Sequence, residues 1–402
     1  MVTMTWLTRY RNLTALCLIA VGVAACEDSS DGITEPDPTS PSTFESTAAG
    51  YYHSCAVASD GVAFCWGYNR PSGQLGDGTT FNRILPVTVH GDLRFEQLVG
   101  GGSHTCGLTT DGEAYCWGDN EAGQLGNGGT EGSSTPAEVA GGHHFQALTA
   151  GESHTCGLSE SGEAYCWGLN AKGQLGNGSN TNAVEPVQVS GGHTFVALFA
   201  GYEHTCGITG DGGAYCWGKN ASGQLGDNTR TAKNTPVQVK TDVTFKTSGP
   251  MIASAGQNHT CAISTDNRAY CWGDNWHNQS GQTVSRNVFL TPMVVPDVPA
   301  MDRIAAGGDH SCALTPGGEA WCWGDSKRGQ LGNADVEEGE FTPPVQVSDA
   351  HDFKNLSLGW DHTCGVTTSG EVLCWGYNGH GQVGTGDRTN ALVPHLVKFE
   401  SE

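Results

Sequence analysis

SHTCGLTTDGEAYCWG, residues 103–118, is a hairpin written out in turn chemistry. A three-residue loop, Thr110-Asp111-Gly112, places Cys106 directly opposite Cys116, and such a loop needs a left-handed residue at its last position, which favours Gly or Asn. The chain contains seven copies, in which Cys55 pairs with Cys65, Cys106 with Cys116, Cys156 with Cys166, Cys206 with Cys216, Cys261 with Cys271, Cys312 with Cys322 and Cys364 with Cys374. The loop ends in Gly61, Gly112, Gly162, Gly212, Asn267, Gly318 and Gly370, so the turn fixes the register independently of the cysteines. Successive copies start 50 to 55 residues apart, the period of a repeat architecture.

In this register a small residue faces a bulky one: Ala56 opposite Phe64, Gly107 opposite Tyr115, Ala313 opposite Trp321, Gly365 opposite Leu373. A short apolar segment precedes each hairpin after the first, such as 145–148 or 195–198, and a Pro-Val segment such as 186–189 precedes that. Each unit therefore holds four short antiparallel strands, and seven such units predict an all-β, seven-bladed β-propeller over residues 44–399. The first copy has no Pro-Val segment ahead of it, and the chain ends on an unclaimed one at 393–397. The expectation is that this C-terminal strand completes blade one and closes the ring.

HTCGL, the Asp-Gly turn, CWGxN and GQLGxG together resemble the RCC1 (regulator of chromosome condensation-like) repeat family across residues 44–399. GQLG stands in five copies, reads Gly381-Gln382-Val383-Gly384 in the seventh, and degenerates in the fifth to Ser280-Gly281-Gln282-Thr283, so blade five is expected to be the least regular.

Cysteines opposed across antiparallel strands lie within disulfide reach, and seven hairpin disulfides are the expectation. The rival is a metal site, because His53, His104, His154, His204, His259, His310 and His362 each lie two residues before a cysteine and share its face. That set supplies three ligands and lacks zinc spacing, so neither metal nor cofactor is expected. Recurrence in every blade marks these histidines as scaffold, hydrogen-bonded to a neighbouring loop. Trp66, Trp117, Trp167, Trp217, Trp272, Trp323 and Trp375 are likewise read as blade packing.

The N-terminus has a different character. Arg9 and Arg11 precede an apolar run over 13–25 that ends Val23-Ala24-Ala25-Cys26. This resembles a bacterial lipoprotein signal, residues 1–26, whose terminal cysteine is acylated; the plainer alternative is an ordinary secretory signal cleaved nearby. Residues 27–43, rich in Pro, Ser, Thr and Asp, read as a disordered tether with a reach of about 55 Å. By analogy with lipoprotein sorting, Glu27 after the cysteine favours the outer membrane of the cell envelope. Export also takes the cysteines to an oxidising compartment.

Without Arg9 and Arg11, 17 basic residues stand against 42 acidic ones, which argues against nucleic acid. What repeats in every blade holds the scaffold; what varies at equivalent positions is free for recognition. The variable positions are the two residues before each repeat histidine and the residue after each Cys-Trp-Gly, all at the open end of the hairpin and so on one face. They include Tyr51, Tyr52, Tyr68, Glu152, Leu169, Tyr202, Glu203, Lys219, Gln257, Asn258, Asp274, Asp309, Asp325, Trp360, Asp361 and Tyr377. Tyr51, Tyr52, Tyr68, Tyr202, Trp360 and Tyr377 are the candidate partner-binding residues, with blade seven expected to bring Trp360 and Tyr377 against blade one. The alternative is that these aromatics only cap blade edges. An acidic run in the loop 333–342 reads as solvated, with calcium as its sharper alternative.

The expected function is a monomeric, tethered protein-binding scaffold, since the resemblance extends to secreted members, among them one that inhibits β-lactamases face-on. The alternatives are a lectin-like propeller whose rings stack on glycan and, by fold analogy only, guanine-nucleotide exchange. Enzymatic use of Glu152 and Glu203 as a carboxylate pair has no nucleophile, metal or phosphate-loop motif beside it.

Overall fold

The structure, a computed structural model, describes residues 43–284, 287–336, 341–349 and 351–399. The signal, Cys26, tether residues 27–42 and Glu337, Glu338 and Glu340 of the acidic loop lie outside the described residues. All secondary structure among the described residues is β: seven four-stranded antiparallel sheets spanning 44–88, 95–138, 145–188, 195–238, 253–294, 303–346 and 353–396. They are blades one to seven of a propeller.

The two central strands of each blade hold its cysteines directly opposite one another. Each pair is bonded as a disulfide: Cys55 to Cys65 in blade one, Cys106 to Cys116 in blade two, Cys156 to Cys166 in blade three and Cys206 to Cys216 in blade four. Blades five to seven continue the series with Cys261 to Cys271, Cys312 to Cys322 and Cys364 to Cys374. The Cα atoms of each pair are 4.0–4.1 Å apart, so the hairpin register alone brings the sulfurs together. The hairpin loops close on residues of positive φ, from 79° to 96° at the six glycines and 61° at Asn267.

Strand burial follows strand order. The second strand of each blade, such as His104–Thr109, is buried on both sides, so it carries small, apolar and hydroxyl residues instead of an alternating pattern. The outermost strand is half-exposed and carries a proline in every blade, Pro86 to Pro394, where one edge donates no ladder hydrogen bond.

The Pro-Val strand belongs to the hairpin before it, which corrects the expected blade boundary. Cys65 pairs with Val87, so blade one has its own fourth strand, Arg83–Thr88. The C-terminal strand Ala391–Leu396 pairs with Val372–Gly376 inside blade seven, not blade one. The local return is the shorter connection, and sequence-adjacent strands pair preferentially. The ring closes by packing instead: Trp66 Nε1–H donates to Gln382 O at 2.8 Å, Gly386 N–H to Ile84 O at 3.2 Å, and Phe44 stacks on Phe399 at 4.5 Å.

Blade five has the shortest inner strand, Ala253–Ala255. Its loop motif is Asn278-Gln279-Ser280-Gly281, earlier in the chain than the sequence suggested. Asn278 adopts φ 62° in place of the glycine, and the Gln279 carbonyl accepts from blade six as its counterparts do elsewhere.

Candidate functional site

The variable face is held by a repeated hydrogen-bond latch. Each repeat histidine is fully buried, and its Nε2 lies 2.8–2.9 Å from a Thr or Ser hydroxyl on the next blade: His53–Thr105, His104–Thr155, His154–Thr205, His204–Thr260, His259–Ser311, His310–Thr363 and His362–Ser54. Each hydroxyl is 2.8–3.0 Å from the backbone carbonyl of the preceding blade's motif glutamine, Gln74 to Gln382. A hydroxyl has one proton, which the carbonyl takes, so the histidine must be the Nε2–H tautomer that donates to the hydroxyl. The motif tryptophan donates its indole N–H to the same carbonyl at 2.8–3.0 Å. The histidine thus contacts a neighbouring strand, not the neighbouring loop expected from sequence. Burial lowers every one of these histidines to about 3 or 4, so they are neutral.

Immediately before each latch histidine, the chain turns at the propeller axis. The residue two before it joins a closed ring of backbone hydrogen bonds: Tyr51 N–H to Gly101 O, Gly102 to Glu152, Glu152 to Tyr202, Tyr202 to Gly256, Gln257 to Gly307, Gly308 to Gly359 and Trp360 to Tyr51, at 2.9–3.3 Å. Here the radius is small enough for side chains three blades apart to meet. Tyr51 stacks on Tyr202 at 5.4 Å, and Trp360 lies against them at 4.7 and 5.7 Å, over a central cavity of about 350 Å³ lined by all seven inner strands. Linear blade order gave no sign of the Tyr51–Tyr202 contact.

A second ring cluster lies where blade seven meets blade one. Tyr52 is 6.4 Å from Tyr68 and 6.3 Å from Tyr377, and it is edge-on to Tyr51 at 6.4 Å, which joins the two groups. His380 sits among the three tyrosines, 5.3 Å from Tyr52, 4.7 Å from Tyr68 and 5.8 Å from Tyr377. Gly379 gives Tyr377 its place: a Cβ there would lie 2.2 Å from the tyrosine oxygen. These side chains are half-exposed. The six aromatic candidates are therefore brought together on one face. His380 was missed, although it was within reach of the same comparison across blades. The residue two before the motif Gln varies (Lys172, His277, Arg328, His380) and reaches the next blade in blades five to seven.

The rest of the face is charged. Lys219 pairs with Glu203 at 2.9 Å and lies over the Tyr202 ring. Burial raises Glu152, with Glu203 adding to it. With Glu203 held by a lysine, the two carboxylates have unlike surroundings, and no group of three His, Cys, Asp or Glu that could hold a metal occurs among the described residues. Asp274, Asp309, Asp325 and Asp361 continue the acidic series through blades five to seven.

A seven-bladed propeller with interlocked blades and one variable face is the class these features define. A model of the RCC1-like domain matches residues 130–402, and models of the Regulator of chromosome condensation (RCC1) repeat match 44–74, 95–124 and 60–108. The chain belongs to the RCC1-like family. It is similar in fold to yeast RCC1 (Prp20) solved with bound Kap60, with TM-score 0.73 and 22% identity over 89% of this chain and 85% of that one. It is also similar to human WBSCR16, with TM-score 0.71 and 23% identity over 80% and 85% of the two chains. Among curated proteins it is 33% identical over 147 residues to the Ultraviolet-B receptor UVR8 of Arabidopsis thaliana, covering 36% of this chain and 33% of the receptor. To the X-linked retinitis pigmentosa GTPase regulator of Mus musculus it is 31% identical over 156 residues, covering 38% of this chain and 16% of that protein. The match thus spans about a third or less of these relatives' length.

Proposed function

We propose that the chain is an exported, membrane-tethered propeller that binds another protein through the face of blades seven, one and four, and that it is a binding module, not an enzyme. The observation that carries this reading is the joined set of half-exposed rings, Tyr51, Tyr52, Tyr68, Tyr202, Trp360, Tyr377 and His380, on a scaffold that is otherwise repetitive. Aromatic residues on a rigid support, rimmed by charge, have the composition of interface hot spots. Yeast RCC1 crystallised with Kap60 and characterised for binding to Gsp1p and histones is a protein binder of the same fold.

Seven disulfides suit an oxidising compartment, in keeping with a signal at 1–26 and acylation of Cys26. The geometry suits a tether too. Thr43 lies beside the Gly370 hairpin turn, where Phe44 N–H donates to Gly370 O at 2.9 Å, at the opposite end of the strands from the rings. A chain anchored at Cys26 through residues 27–43 would join the propeller away from its aromatic face.

The test is affinity capture from the organism's own envelope extract, using the full chain as wild type and as the double variant Tyr68→Ala with Tyr377→Ala, each checked for folding by circular dichroism. A protein retained by wild type and lost by the double variant is the expected result. Equal retention by both proteins, or none, sinks the reading, and a glycan array then tests the rings as a sugar platform.

A further inference from the structure

The residue before the latch histidine is a carboxylate in three blades, Glu203, Asp309 and Asp361, and only one of them stands unpaired. Glu203 is paired with Lys219. Asp309 faces His277 of the preceding blade, Nδ1 to Oδ2 at 3.2 Å, and accepts from Gln279 Nε2–H at 3.0 Å. The residue equivalent to His277 in blade six is Arg328, the natural partner for Asp361. Its guanidinium instead lies over the Tyr377 ring, 5.4 Å from the centroid. Among the described residues no side chain makes an ion pair or hydrogen bond with Asp361.

The surroundings of this carboxylate are aromatic. Its backbone carbonyl accepts from Tyr377 N–H at 2.8 Å, and its charge raises Tyr52, after burial the largest cause of that shift. Tyr52 and Tyr377 stand at 72° to one another, 6.3 Å apart, both half-exposed. Such rings attract cations through their faces, and Arg328 on Tyr377 shows that a guanidinium is accommodated there. A half-buried carboxylate among these tyrosines, with basic side chains near but none in direct ion pair with it, costs free energy that an incoming cation would recover. The chain's net charge of −23 steers basic partners towards it.

We propose that this notch binds a guanidinium, the side chain of an arginine displayed by the partner protein, with Asp361 as counter-ion and the Tyr52 and Tyr377 rings as walls. The proposal rests on the reading that this face binds protein and names the chemistry it selects. Burial, then Asp325 and Asp309, pushes the Asp361 carboxyl up to about 6, against Arg328 and Lys327, which pull it down. Tyr52, Tyr377 and His380 are the other titratable groups at the notch. Binding therefore weakens as pH falls through about 6 and the carboxylate is neutralised.

The test is a titration of the full chain, labelled with fluorotyrosine, with Nα-acetyl-arginine methylamide and with its neutral citrulline analogue. The arginine probe is expected to shift the Tyr52 and Tyr377 resonances saturably and the citrulline analogue to leave them in place. Asp361→Asn weakens the probe at least about tenfold, as loss of one partner of a half-buried charge pair does. Equal shifts from both probes, or no effect of Asp361→Asn, overturn the proposal. So does binding seen only in Arg328→Ala, because Arg328 then fills the site itself. Capture that is lost in the Tyr68→Ala, Tyr377→Ala double variant but unchanged in Asp361→Asn keeps the binding face and rejects the arginine notch. Failure of capture rejects the face reading while the titration still reports on the notch.

Discussion

Thr205 shows what a single residue does in this propeller. Its hydroxyl accepts from His154 and donates to Gln174 O, which also takes the Trp217 indole proton, so one oxygen ties blade four to both the hairpin and the loop of blade three. Thr205→Val leaves the buried His154 N–H without an acceptor and should cost about 1–3 kcal/mol, read from the chemical-denaturation midpoint. Thr205→Ser should stay near wild type, because Ser54 and Ser311 occupy the same position natively. The histidines also set the pH response. Their ordinary value is 6.5 and burial lowers them to about 3 or 4, so the unfolded chain binds more protons between those limits. Their contribution is complete above pH 6.5 and is lost as pH falls towards 3 or 4. One unit below the ordinary value, each histidine removes roughly 1.4 kcal/mol. Denaturation midpoints should fall steeply from about pH 6.5 downwards, and a flat profile to about pH 5 would contradict neutral burial.

At the scale of the element, turn chemistry and cysteine register agree because both describe the same hairpin. Gly112 has φ 79°, and the equivalent Asn267 has φ 61°. Gly112→Asn is therefore expected to be near neutral, whereas Gly112→Val forces a β-branched residue into the left-handed region at about 1–2 kcal/mol. Thermal denaturation of the two variants side by side distinguishes them. The fourth strand was not legible in the same way. Pro86-Val87 and its equivalents can pair with the hairpin before or the strand after, and the sequence marks both equally. The decision falls to the loop from 68 to 82, in which Asn69 Oδ1 accepts from Leu75 N–H and Asn69 Nδ2 donates to Thr79 O, folding the chain back on its own hairpin.

For the whole molecule, the closure between blades seven and one uses the same latch as every other boundary, His362–Ser54 and Trp66–Gln382. No strand is exchanged between blades, so no blade depends on both ends of the chain. A circular permutant opened at Gly91, with Phe399 linked to Thr43, keeps every sheet contiguous and retains the Phe44–Phe399 stack. It should retain the parent's circular dichroism spectrum and a similar denaturation midpoint; loss of blade one's disulfide protection would count against packed closure. The Phe44–Phe399 stack at 4.5 Å places the two ends near enough for a short linker.

Seven blades, seven directly opposed cysteine pairs and the face that carries the variable residues were all legible in the sequence, because turn geometry and strand alternation are local and repeat at a fixed period. The neighbours of Trp360 and Tyr377 followed from closing a ring. Three features did not: the blade to which each outer strand belongs, the meeting of Tyr51 with Tyr202 across the axis, and the entry of His380 among Tyr52, Tyr68 and Tyr377. Each depends on distances between residues that are remote along the chain, set by the radius of the ring and the path of the loops. Local propensity does not encode those distances; packing of seven blades around one axis does.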